Sequence, residues 1–148
     1  MKTMTFERFH IPAAITTLAN GLTIASCQVQ SVLARVYRTV ALGSVDDGAH
    51  PGLAHFIEHI LFEGPTRDSV HPLMRPLVRR AVDINANTSK NYTRYEVSNG
   101  EDVAELLEAV LGITKDIIAT SEVVELERLV ILQEIAESRI RSRTDRWR

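Results

Sequence analysis

The chain has 148 residues, 45% of them apolar, and a formal charge of −2, which fits one globular domain with its own core and points to neither a nucleic-acid nor a membrane partner. A single cysteine, Cys27, excludes a disulfide framework and reads as a small apolar strand residue. No apolar run is long enough to span a bilayer, and Met1 to His10 carries no signal core, so the expected setting is cytoplasmic, or that of a protein whose address label has been removed.

Residues 14–18 and 22–28 read as two strands joined at Asn20-Gly21, a pair suited to the tight turn of a hairpin. Residues 32–42 alternate. Val32, Ala34, Val36, Val40 and Leu42 share one face, interrupted by Arg38, and Leu33, Arg35, Tyr37 and Thr39 share the other. Period two predicts a half-buried strand. The run from Gly43 to Gly48 is loop by composition.

A helix over 49–64 follows, opening near Pro51 and ending at Gly64-Pro65. It contains His55-Phe56-Ile57-Glu58-His59. Residues four apart lie one turn above each other on a helix, so His55 and His59 can aim two imidazole nitrogens at one point, as a tetrahedral zinc ion requires of its first ligands. Glu58 borders the same face, where a carboxylate can take a proton from an activated water. This order of residues is the inverzincin motif. The flanking Phe56, Ile57, Ile60, Leu61 and Phe62 predict a buried helix, in which polar side chains need partners.

Residues 69–82, with Pro72 and Pro76, read as a short interrupted helix; 83–88 and 92–98 read as strands about Ser89-Lys90-Asn91. Residues 102–119 place Val103, Leu106, Leu107, Val110, Leu111, Ile113 and Ile117 at helical spacing, and a last helix capped by Thr120 or Ser121 runs to about Arg141. Strands in hairpins followed by helices predict an α+β fold: an antiparallel-rich mixed sheet with helices packed on one face.

Two histidines do not complete a zinc site, and the last helix is the best source of a third ligand. Glu127 and Glu134 are two turns apart on one face of it, amid apolar neighbours, whereas Glu122 and Glu125 suit a solvated face. Charge is uneven here. Ten acidic residues lie between Glu101 and Glu137 against Lys115 and Arg128, and five arginines follow Ser138. Cations suit a helix C-terminus; a docking surface is the sharper reading.

Four segments together resemble the N-terminal part of a pitrilysin-type zinc metallopeptidase, the insulinase and mitochondrial processing peptidase family. Leu18-Ala19-Asn20-Gly21-Leu22-Thr23 is similar to the family's opening hairpin. Gly43-Ser44 with Gly52 through His59, and Phe62-Glu63-Gly64-Pro65-Thr66, resemble the entry to and exit from its zinc helix. Asn85-Ala86-Asn87-Thr88-Ser89 is similar to a strand bordering the substrate cleft, and Glu127-Arg128 through Glu134 to the helix bearing the distal glutamate. The order and spacing are the family's, and the likeness spans nearly the whole chain.

The resemblance implies one zinc ion held by His55, His59 and Glu134, with Glu58 as general base. It implies that Glu127 belongs to the catalytic set as the carboxylate that orients a ligand histidine, and that Asn85 and Ala86 lie beside a peptide bound as an added strand. Glu137 reads as an exposed residue, or as a further support for the site. The implied domain covers 1–148: strands and loop over 1–48, the zinc helix over 49–64, a helix and cleft strands over 69–100, two helices over 101–143. Two departures stand out. The family's Gly-Gly pair before the cleft strand is replaced by Ala81-Val82, and family members are longer, with a later half-domain and a homologous second domain. The implied function is a zinc endopeptidase subunit that processes peptides or precursors, such as leader peptides, with a partner chain supplying the missing half. The alternative is a non-catalytic zinc-binding scaffold or partner subunit of a peptidase complex.

Overall fold

The computed structural model describes residues 2–6, 11–62, 77, 79–113 and 119–144, and the chain divides into two units, Met1–Val32 and Leu33–Arg148. The first is an antiparallel sheet in the order β1-β2-β3, formed by β1 (Lys2–Phe6), β2 (Ile11–Thr17) and β3 (Thr23–Cys27). The expected hairpin joins β2 and β3. Gly21 adopts φ +86°, open to glycine at no steric cost, and Asn20 Oδ1 accepts from the Leu22 amide at 3.1 Å. The sequence reading assigns no strand to residues 2–6; β1 forms there because Thr3, Met4, Thr5 and Phe6 find a partner edge in β2. Cys27 lies in a strand as expected, but it is exposed rather than packed.

The second unit contains β4 (Ala34–Val40), a single 3-10 turn (Ser44–Asp46), α1 (Leu53–Phe62), β5 (Asp83–Thr88), β6 (Thr93–Gly100), α2 (Val103–Ile113) and α3 (Ser121–Thr144). The three strands form an antiparallel sheet in the order β4-β6-β5, and the fold is α+β. Tyr95 and Val97 of β6 form one buried cluster with Leu106, Ala109, Val110 and Ile113 of α2 and Leu61 of α1. Val97, Leu106, Val110 and Ile113 are withdrawn from water almost completely, each worth about 1.5–3 kcal/mol of apolar burial.

β4 is shorter than the predicted 32–42, since its pairing runs only from Ala34 opposite Gly100 to Val40 opposite Thr93. Val32 and Leu42 lie beyond it and are exposed. Arg38 interrupts the apolar face for a reason: Nη1 donates to the Leu111 carbonyl at 3.2 Å, in the last turn of α2. Thr120 rather than Ser121 caps α3, its hydroxyl accepting from the Val123 amide at 3.2 Å.

Most of the predicted 69–82 helix, and the Gly64-Pro65 exit, lie outside the described residues. The helix end is described. The Leu77 carbonyl accepts from the Val82 amide at 3.1 Å, and Ala81 has φ +57°. This is the bond of a Schellman cap, with Ala81 in the left-handed position that glycine usually fills. Leu77 and Val82, on either side of it, are both in the core. The strand after this turn forms as expected, with an alanine carrying a conformation that costs roughly 1–2 kcal/mol for an L-residue.

α1 starts at Leu53, not at Pro51, which lies in the preceding turn. Its start is fixed by buried Asp47, whose Oδ2 accepts from the Gly52 amide at 2.6 Å and Oδ1 from the Ala54 amide at 2.8 Å. One carboxylate thus satisfies two amides at a helix N-terminus, where negative charge is favoured. Two outcomes follow. Ala81→Gly should raise the unfolding free energy by about 0.5–1 kcal/mol in urea titration; a loss of stability would contradict the cap. Asp47→Ala should lower it by about 2–3 kcal/mol, because two amides lose their acceptor; a change below about 0.5 kcal/mol would mean that water replaces the carboxylate.

Candidate metal centre

α1 packs against both β5 and α3. On α1, His55 and His59 face α3, with their Nε2 atoms 3.2 Å apart. On α3, Glu134 Oε2 lies 3.7 Å from each of those nitrogens. A tetrahedral ion with bonds of about 2.0–2.1 Å spaces its ligand atoms about 3.3–3.4 Å apart. The triangle of two imidazole nitrogens and a carboxylate oxygen is therefore close to the one such an ion needs, and among the described residues these three form the group able to hold a metal.

Glu127 lies two turns before Glu134 on the same face of α3, and it is buried. Its Oε2 is 2.9 Å from His59 Nδ1. With Nδ1–H donating to that carboxylate, His59 presents a bare lone pair at Nε2, toward His55 and Glu134. Heptad spacing thus delivers two glutamates to one histidine ring, one to each nitrogen. Glu122 and Glu125 are exposed, and Glu125 pairs with Arg128 at 2.6 Å, which holds its carboxyl below the usual range. Glu137 is also exposed and accepts from Gln133 at 3.0 Å.

Glu58 follows from α1 toward the sheet, where Thr88 Oγ1 donates to its Oε2. Beneath it is Tyr95, whose phenol is pushed up to about 12 by burial first and by the negative Glu58 second, Arg38 opposing. Tyr95 therefore stays a neutral member of the core at any physiological pH. His55, Glu58, His59 and Glu134 line one side of a cleft of about 420 Å³, and the strand from Ile84 to Thr88 lines the other.

That strand is β5, at the edge of its sheet. The Ser89 amide bonds the Tyr92 carbonyl at 2.8 Å, and at period two the ladder pairs continue through Asn87, Asn85 and Asp83. The backbone groups of Ile84, Ala86 and Thr88 consequently face the open edge. Among the described residues, the Ala86 amide meets its neighbour's side chain, Asn85 Oδ1, at 2.9 Å. Asn85 and Ala86 thus sit at the edge beside the histidines, Asn85 exposed and Ala86 partly packed on the core.

Sequence reasoning missed Asp47 and Thr88. Asp47 lies in a segment that composition marks as loop, and its partners are backbone amides, which no residue pattern displays. Thr88 is an alternating strand threonine like any other until the helix is docked. The Gly43-Ser44 pair has a visible reason only in three dimensions. A Cβ at Gly43 would come within 2.5 Å of the Ser89 and Lys90 carbonyl oxygens, so a glycine lets this loop lie against the β5–β6 turn.

The chain matches the model of the insulinase family, peptidase family M16, over residues 23–144. It is similar to a mitochondrial-processing peptidase subunit beta from Lentinula edodes, 34% identical over 126 residues, which are 83% of this chain and 27% of the relative. It is also similar to an uncharacterized zinc protease from Mycobacterium tuberculosis strain H37Rv, 35% identical over 125 residues, covering 82% of this chain and 28% of the relative. Among solved structures, a protease from Helicobacter pylori superposes with a TM-score of 0.73 at 24% identity, over 82% of this chain and 30% of that one; it speaks for the fold. A protein from Alicyclobacillus acidocaldarius described as M16-like superposes with a TM-score of 0.72 at 28% identity, over 86% and 31%. The chain thus spans little more than a quarter of the curated relatives it matches. By a family-model match over most of its length, the chain belongs to the insulinase family, peptidase family M16.

Proposed function

We propose that this chain is a zinc-dependent endopeptidase subunit that hydrolyses peptide bonds in precursor or leader processing, together with a partner chain that supplies the rest of the substrate cleft. The observation that carries the reading is the triangle of His55 Nε2, His59 Nε2 and Glu134 Oε2, with sides of 3.2, 3.7 and 3.7 Å. Three protein donors leave the fourth position of a tetrahedral ion for water or substrate, as catalytic zinc requires. Bound there, zinc would polarise the scissile carbonyl and make water acidic enough to ionise near neutral pH.

The protein's own groups do the remainder. Glu58 takes the proton of the attacking water and delivers it to the departing amine. Glu127 fixes the tautomer and orientation of His59 through Nδ1. The open edge at Ala86 accepts the substrate as an added strand, with Asn85 beside it, and so sets the carbonyl against the ion. Peptide is the ligand this edge suits, because extended backbone pairs with backbone whatever its side chains.

The proposal includes residues 1–148 as part of one pitrilysin-type domain. The partner rests on the word "subunit" in the name of one of the relatives. No described helix is long and apolar enough to cross a membrane. Exposed, unpaired Cys27 suits a reducing, cytoplasmic setting.

The test is metal content and cleavage of a quenched peptide. The parent chain should hold one zinc per chain and lose cleavage to a chelator. Glu58→Gln should keep the zinc and lose about 10²–10⁴-fold in rate, the usual span of general acid–base catalysis. His55→Ala and Glu134→Ala should lose the metal itself. Glu58→Gln cleaving at the parental rate would remove Glu58 from the mechanism, and a parent that takes up no zinc would remove the reading. Partner dependence is read by size-exclusion mass and activity with neighbouring gene products, and a fully active lone monomer would contradict it.

A further inference from the structure

Glu58 has two places to go. It neighbours His59 on α1, so its flexible side chain borders the ion-binding triangle, and a carboxylate beside a divalent cation is drawn to it. Closed onto the ion, Glu58 would take the fourth position and leave no room for water. The structure holds it elsewhere. Thr88 Oγ1 donates to Glu58 Oε2, and the direction of that donation is settled by its neighbour. Thr88 Oγ1 lies 3.2 Å from Thr93 Oγ1, but buried Thr93 spends its own proton on the Leu42 carbonyl at 2.9 Å. The Thr88 proton then goes to the charged acceptor, the stronger of the two bonds open to it.

The donor is itself rigidly mounted. Thr88 ends β5 directly opposite Thr93. The turn beyond it is tied to the loop that leads into α1, the Ser44 amide donating to the Ser89 carbonyl and the Val45 amide to the Lys90 carbonyl, each at 3.0 Å. The strand end that carries Thr88 and the loop that feeds the Glu58 helix are therefore fixed to each other.

We propose that Thr88 is a positioning residue that holds the Glu58 carboxylate back from the metal through Oε2, so that the fourth coordination position stays open and the other carboxylate oxygen faces the water. This rests on the zinc reading above, and the test separates the two. The 148-residue chain is loaded with cobalt(II), and the d–d absorption and the affinity for acetohydroxamate are recorded for the parent, Thr88→Val, Thr88→Ser, Glu58→Gln and the Thr88→Val/Glu58→Gln pair. Thr88→Val should bind one cobalt, shift the absorption bands and weaken acetohydroxamate about tenfold, a factor that corresponds to about 1.4 kcal/mol. Thr88→Ser, which keeps the hydroxyl, should restore both. In the Glu58→Gln background the same Thr88→Val change should do nothing further, since there is no carboxylate to release. A hydroxyl that merely stabilises the strand would not show this pattern. Thr88→Ala takes the place of Thr88→Val if circular dichroism shows that the valine variant does not fold. A parent that binds cobalt while Thr88→Val keeps the parental spectrum and affinity overturns this inference alone, as does a Thr88→Val effect that persists beside Glu58→Gln. A parent that binds no cobalt overturns both.

Discussion

The contact between His59 Nδ1 and Glu127 Oε2, 2.9 Å long and largely out of water, is the interaction on which the rest of the site depends. It joins α1 to α3 across 68 residues of chain. A buried carboxylate has to recover its lost hydration from a partner, and a buried imidazole has to place its N–H. Each satisfies the other here. Removing one partner would leave the other desolvated and unpaired, a loss of about 1–3 kcal/mol. The same bond turns His59 so that Nε2 meets His55 and Glu134. Helix docking and ligand geometry are therefore one event: α3 cannot slide by a turn without breaking the pair and moving Glu134 off the triangle.

The opposite wall is built on a different principle. β5 contributes position rather than ligands. Its inner residues Ile84 and Ala86 pack on the core, its alternate backbone groups face an open edge, and its last side chain reaches Glu58. An edge strand is ordinarily a liability, because unpaired amides and carbonyls invite other strands. Placed a few ångströms from a candidate metal site, that property is what a peptide-cleaving centre needs. The Gly43 loop, pressed against the Ser89 and Lys90 carbonyls, keeps the edge and α1 at a fixed distance. Both walls thus owe their rigidity to contacts between segments remote in sequence.

What could be read from the sequence follows from the range of each interaction. The two histidines and Glu58 are legible because helical spacing alone puts them on one face, and Glu127 and Glu134 for the same reason on α3. The hairpin at Asn20-Gly21, the strands predicted over 83–88 and 92–98, the second observed as Thr93–Gly100, and the inner face of β4 follow from local periodicity and turn chemistry. Asp47 and Thr88 do not, since a hydrogen bond to a backbone amide or to a glutamate on another element leaves no periodic trace. Apolar content misled at Cys27, Val32 and Leu42, and again on α3. Leu129, Val130, Leu132 and Ile135 surround the glutamates in sequence as a core face would, yet all four are exposed in the structure. Among the residues of α3 whose burial is described, Val123 and Glu127 are buried and Val124, Leu126 and Ile131 partly covered, because α1 is short and covers the stripe it touches.

The charge at the centre completes the physical argument. Glu58, Glu127 and Glu134 gather three carboxylates about two imidazoles, with the Thr88 hydroxyl and His59 Nδ1 as the neutralising donors. Like charges on neighbouring side chains oppose one another, and more so where protein rather than water separates them. A divalent cation at the triangle reverses the sign of the interaction for every carboxylate at once. Occupancy would then stabilise the folded chain in proportion to the logarithm of free metal over its dissociation constant, coupling the docking of α3 to the ion it helps to bind. The cluster is thus the half of an arrangement that the proposed cation would complete.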